Sequence, residues 1–145
     1  MAGRNSQTVP PVGRLSEMIY TAPDGSDIRI ILGETERATT ASLCQATLGA
    51  GETSRAVRHR QVEEIWYFLE GDGMVWRCPP VADPASVEPI AVSPGDALVI
   101  PAGWSFQFRA SLDGPLRFLC YTTPPWPGPD EAVPAPYDGL GPPTV

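Results

Sequence analysis

The sequence predicts an all-β fold built as a single β-barrel, and three observations carry that reading. Short β-rich runs recur at roughly 8–12-residue spacing, each closed by a turn containing Gly, Pro or Asp. No amphipathic helical pattern is sustained over three turns, and no internal repeat is visible. The 145 residues leave room for one closed core and not for a second domain.

The elements follow in chain order. Residues 1–13 are polar and contain Pro and Gly, which predicts a flexible N-terminal arm. Leu15 to Ala22 reads as a strand, Pro23-Asp24-Gly25-Ser26 as its turn, and Asp27 to Leu32 as the returning strand. Further strands are expected at Ala41–Leu48, Thr53–His59, Glu64–Leu69 and Met74–Arg77. A proline-studded loop, Pro79 to Pro89, precedes Ile90–Val92, Ala97–Ile100, Ser105–Ala110 and Leu116–Thr122, so the barrel core spans 15–123. The tail, 124–145, carries eight of the eighteen prolines and cannot form a central strand. Its Trp126 and Tyr137 favour packing along the barrel surface over free solvation.

Composition excludes several functions. The net charge is −7 and all ten basic residues are arginine, which makes nucleic acid and anionic membranes poor partners. Without lysine the chain cannot form a Schiff base through its own amine, so no cofactor of that kind is expected. No apolar run is long enough for a signal peptide or a membrane span, and Cys44, Cys78 and Cys120 form no CxxC pair. A cytoplasmic location with reduced cysteines is the default expectation.

The sharpest motif is Gly51 to Gly73, G-E-T-S-R-A-V-R-H-R-Q-V-E-E-I-W-Y-F-L-E-G-D-G. It resembles the first motif of the cupin superfamily, G-x5-H-x-H-x3,4-E-x6-G, with His59 at the second histidine, Glu64 at the glutamate and Val57 at the first histidine. Gly95 to Ala110 resembles the second motif, G-x5-P-x-G-x2-H-x3-N, with Gly95, Pro101 and Gly103 in place. There Phe106 stands at the histidine position and Ala110 at the asparagine position. The resemblance implies a cupin jelly roll, the double-stranded β-helix. Stretches within 24–132 are also similar to one bacterial cupin subgroup, which implies that Val57 and Phe106 are subgroup features. It further implies a homodimer paired through barrel edge strands, and the outward apolar positions Ile65, Tyr67 and Leu69 agree with a covered face.

Strand parity then sets the expected interior. Glu64, Trp66 and Phe68 share one face; Arg55, Val57 and His59 share another; Phe106 and Phe108 share a third, with Trp104 near the rim. The expected cavity is an aromatic cup holding a single imidazole and a single carboxylate, with Arg55, or Arg109 if its strand is bulged, as a cation. His59, made more basic by Glu64, would act as general base, and Arg55 would stabilise an enolate or carboxylate. This suits a metal-independent isomerase, cyclase or lyase acting on a largely apolar, polyketide-like small molecule. Two alternatives stay open: a non-catalytic module that binds or senses a small ligand, and a metal-dependent cupin using His59, Glu64 and waters. The second would have only two protein ligands where three or four are usual. Trp76 reads as core or dimer interface, Cys120 as a small core hydrophobe, and the D-E of Pro129 to Ala132 as tail solvation.

Overall fold

The computed structural model describes residues 9–145. Most of the expected arm, residues 1–8, lies outside the described residues, and from Val9 to Gly13 the chain forms no regular secondary structure.

The strands are β1 (Tyr20–Thr21), β2 (Asp27–Leu32), β3 (Ser42–Leu48), β4 (Val57–His59), β5 (Glu63–Glu70), β6 (Gly73–Cys78), β7 (Ile90–Val92), β8 (Ala97–Ile100), β9 (Ser105–Ala110), β10 (Leu116–Thr123) and β11 (Ala132–Pro134). They form two antiparallel sheets, a six-stranded one in the order β1-β2-β3-β10-β5-β8 and a five-stranded one in the order β11-β4-β9-β6-β7. The sheets pack face to face as a jelly roll that is not strictly closed. Among the described residues no helix is long and apolar enough to cross a membrane.

Two strands are shorter than their composition suggests. The first spans only Tyr20–Thr21, because Leu15, Met18 and Ile19 are exposed and bury little against a neighbour. The second begins at Val57 rather than Thr53. Upstream of it the backbone is tied to three separate places: Thr53 N–H to Thr144 Oγ1, Ser54 N–H to the Phe108 carbonyl and Arg55 N–H to the Asp24 carbonyl. No ladder runs through this stretch, so strict alternation does not extend back to Arg55. The tail contributes β11, an edge strand paired with β4, where a proline costs the sheet no hydrogen bond on its free side.

The motif glycines answer two different demands. Gly71 has φ +79°, and a Cβ there would lie 2.0 Å from the Pro115 carbonyl oxygen, so both conformation and space exclude a side chain. Gly95, at φ +93°, has open space around it, and only its left-handed backbone calls for glycine.

Alternation along β5 separates core from surface. Glu64, Trp66 and Phe68 are buried while Ile65, Tyr67 and Leu69 are exposed. Trp66 stacks on Phe118 at 4.2 Å between ring centroids and meets Phe106 and Phe108 edge-on at 5.5 Å and 5.1 Å. This cluster joins β5 and β10 of the large sheet to β9 of the small one. On the outer face of the small sheet, Gln107 and Trp76 are buried under the tail. Gln107 Nε2 donates to the carbonyls of Ser54 and Gly141, its Oε1 accepts from Leu140 N–H, and Gly139 packs on the Trp76 ring.

Candidate functional site

The aromatic cluster fills one half of the barrel and leaves a cavity of about 630 Å³ in the other half. Its walls come from the inward residues of β2 and β3, from β10, from Val57 and His59 on β4, from Glu64 and Trp66 on β5, and from the segment 125–132. The size suits a small organic molecule.

Four residues expected at the site line this cavity: His59, Glu64, Val57 and Trp66. The others lie elsewhere. Arg55 is exposed and its Nε donates to the Val145 carbonyl, because the chain before β4 does not alternate as a strand. Arg109 is turned to the outer face, where it donates to the Leu140 carbonyl. Phe68, Phe106 and Phe108 are fully buried; interlocking rings from the two sheets close the space they were expected to border. Trp104 sits half-buried in the turn before β9, away from the cavity.

Glu64 is held rigidly. Its Oε1 accepts from Trp66 Nε1 at 2.9 Å, a bond that two residues on the same strand face can form. The Cys120 thiol faces the carboxyl, and Cys120 is in cross-strand register with both Trp66 and Cys44. His59 lies across β4, with Nδ1 3.9 Å from Glu64 Oε2, too far for a hydrogen bond. That Nδ1 is buried and has no hydrogen-bond partner. The imidazole is held instead by ring edges, with Phe106 and Trp126 each 5.1 Å away between centroids. Trp126 is positioned by its N–H, which donates to Ser42 Oγ at 3.1 Å, and Ser42 Oγ in turn bonds Thr122 Oγ1.

Burial dominates the electrostatics. It pushes Glu64 up to about 7, with Asp24 and Glu131 adding like charge and the Trp66 hydrogen bond and the Cys120 thiol opposing. It pushes His59 down to about 4, against the pull of Glu131. The order of basicity is therefore the reverse of that expected from the sequence: the carboxyl exchanges its proton near neutrality, while the imidazole stays uncharged.

Several residues of the site come from loops that no spacing rule reaches. Asp24, in the turn before β2, lines the cavity with its Oδ1 accepting from Ser26 N–H at 2.9 Å and Ser26 Oγ at 2.6 Å. Glu131 is buried and does not solvate the tail: its Oε2 accepts from Gln61 and Val62 N–H, each at 2.7 Å. These two donors sit in the turn joining β4 to β5, so the carboxylate pins the tail to the two strands that carry His59 and Glu64. Glu131→Gln is expected to cost about 1–2 kcal/mol, since a neutral amide oxygen accepts more weakly from the same two donors. Urea denaturation checks this.

A jelly roll of this type raises the question of a metal, and the donor set does not fit one. The two motif positions beside His59 and Glu64 are the apolar Val57 and Phe106. Among the described residues no three His, Cys, Asp or Glu side chains are grouped to hold an ion.

No family model matches the chain. The uncharacterized protein MJ1618 of Methanocaldococcus jannaschii is 29% identical over 115 residues, which is 79% of this chain and 86% of that protein. Oxalate decarboxylase from Bacillus subtilis superposes on 88% of the chain with a TM-score of 0.71 at 16% identity, and the chain spans 32% of that enzyme's length. The polyketide cyclase RemF from Streptomyces resistomycificus superposes with a TM-score of 0.60 at 20% identity, covering 87% of this chain and 82% of that one.

Proposed function

From the cupin fold that the chain shares with these structures, we propose that the protein is a metal-independent enzyme of the isomerase, cyclase or lyase type. It would act on a small, largely apolar molecule in the cavity. The observation that carries this is Glu64: a buried carboxyl on the cavity wall, locked by Trp66, whose pKa of about 7 lets it both take and return a proton at neutral pH. RemF, a polyketide cyclase on the same fold, supports a reaction of this class.

The chemistry follows from the two side chains. The Glu64 carboxylate removes a proton from a carbon next to a carbonyl, and the electron pair moves to the carbonyl oxygen as an enolate. The uncharged His59 bonds that oxygen in the tautomer that carries its proton on Nδ1, the nitrogen left unpartnered in the wall. Glu64 then returns its proton at another carbon, giving isomerisation; or the enolate carbon attacks a second carbonyl of the molecule, whose oxygen takes the proton from Glu64; or the enolate expels a β-substituent that leaves with that proton. The largely apolar lining, with Trp66, Phe118 and Trp126, keeps water from competing for the proton.

Proton exchange tests this without the natural substrate. β-Tetralone, a neutral aryl ketone with acidic α-hydrogens, is incubated with the protein in D2O near neutral pD and followed by proton NMR. Wild type is expected to accelerate loss of the α-hydrogen signal, and Glu64→Gln to lower that rate by about 100-fold or more. Binding of the ketone without accelerated exchange would overturn catalysis and leave a ligand-binding module. Equal rates in wild type and variant would remove Glu64 from the mechanism.

A further inference from the structure

The charge in the cavity is one-sided. Asp24, Glu34, Glu36 and Glu64 line it, and none of its described lining residues is an arginine, in a chain that has no lysine. Four arginines are directed elsewhere: Arg29 to the Ser16 carbonyl, Arg55 to that of Val145, Arg60 to that of Asp130 and Arg117 to Glu70. Asp24 and Glu64 thus share one low-dielectric space whose described lining residues include no arginine. Burial raises the pKa of each, and each would be relieved by an incoming positive charge.

A second feature marks where such a charge would sit. His59 Nδ1 is buried, unpartnered and 3.9 Å from Glu64 Oε2. When the ring proton is on the other nitrogen, Nδ1 is an acceptor. Two acceptors at that separation can be spanned by two N–H groups of one ammonium, each at ordinary hydrogen-bond length. Trp126, edge-on to His59, and Trp66 border the same space, so the carbon skeleton meets aromatic surface. A carboxylate or phosphate would meet like charge and no donor able to neutralise it.

We infer that the cavity takes an amine: an apolar, ring-sized molecule carrying an ammonium, bonded between His59 Nδ1 and the Glu64 carboxylate with Asp24 as the second countercharge. The inference rests on the reading above only in taking the cavity as the ligand site; an ammonium on the Glu64 carboxylate occupies the proposed base, so the amine is a ligand that competes with the ketone and not the substrate of the proton transfer.

Three matched indoles test it by equilibrium calorimetry, without turnover: tryptamine (cation), tryptophol (neutral) and indoleacetate (anion). Tryptamine is expected to bind about tenfold more tightly than tryptophol, and indoleacetate more weakly than either. Asp24→Asn keeps the acceptor that Ser26 uses, yet should lower the tryptamine-to-tryptophol affinity ratio several-fold. Binding of indoleacetate as tight as that of tryptophol would overturn the inference. So would a ratio unchanged in Asp24→Asn, or no tryptamine binding at about 1 mM. Failure of tryptamine to bind while β-tetralone still exchanges its α-hydrogens would remove the charge preference and leave the proton-transfer reading in place.

Discussion

Trp66→Ala is expected to destabilise the protein by about 3–5 kcal/mol. Trp66 is 1% exposed and touches four other aromatic rings, from β5, β9 and β10. Its removal opens a cavity between two sheets whose partners are fixed by their own ladders and cannot collapse into it. It also takes the hydrogen bond from Glu64, leaving the carboxyl with less to oppose burial. Urea denaturation followed by far-UV circular dichroism measures the loss. A cost below about 1.5 kcal/mol would show that the interlocked rings are not the structural centre of the barrel. Trp66→Phe, which keeps a ring but not the N–H, separates packing from the bond.

The second large effect is on the pH dependence of stability. Glu64 titrates near 7 in the folded protein against 4.5 for an ordinary glutamate, so its contribution is fully present below pH 4.5 and is lost as pH rises through 7. His59 titrates near 4 against 6.5, so its contribution is fully present above pH 6.5 and is lost as pH falls through 4. Each shift is worth about 3 kcal/mol, and the two have opposite slopes over the same range. In wild type they largely cancel. Glu64→Gln removes the first and leaves the second, so the variant should gain about 3 kcal/mol on wild type between pH 4.5 and pH 7. Glutamine keeps an acceptor for Trp66 Nε1, and the other titratable groups near the carboxyl (Asp24, Cys120 and Glu131) are common to both proteins. Unfolding free energies of the pair at several pH values give the difference directly. A difference that does not change with pH would mean that the carboxyl is not held above its ordinary range.

The sequence made the barrel legible because its punctuation is local. Gly71 and Gly95 announce turns that only a left-handed backbone can make, and β7, β8 and β9 have the bounds expected from the sequence. His59 and Glu64 were legible for the same reason, as positions between Gly51 and Gly71, both of which have a left-handed backbone. What could not be read depends on contacts made across the chain. Arg55 was expected inside by alternation, but Ser54 and Arg55 bond to Phe108 and Asp24, and alternation does not begin until Val57. Phe68, Phe106 and Phe108 do face inward, yet rings from two sheets interlock there, so the open space lies beside β2 and β3. Asp24 and Glu131 gain their places from burial by distant strands. A turn aspartate and an acidic pair in a proline-rich tail look the same whether buried or solvated.

The wall carrying Trp126 has a consequence for the entropy of binding. Between 124 and 129 the chain contains four prolines, each with its φ fixed and no N–H to satisfy. The Trp126 N–H is taken up by Ser42, and Glu131 fastens the far end to the β4–β5 turn. Such a segment has little backbone freedom even before a ligand arrives. A molecule docking against it therefore immobilises almost nothing on that side, and the free energy of contact is kept as affinity instead of being offset by the ordering of a loop.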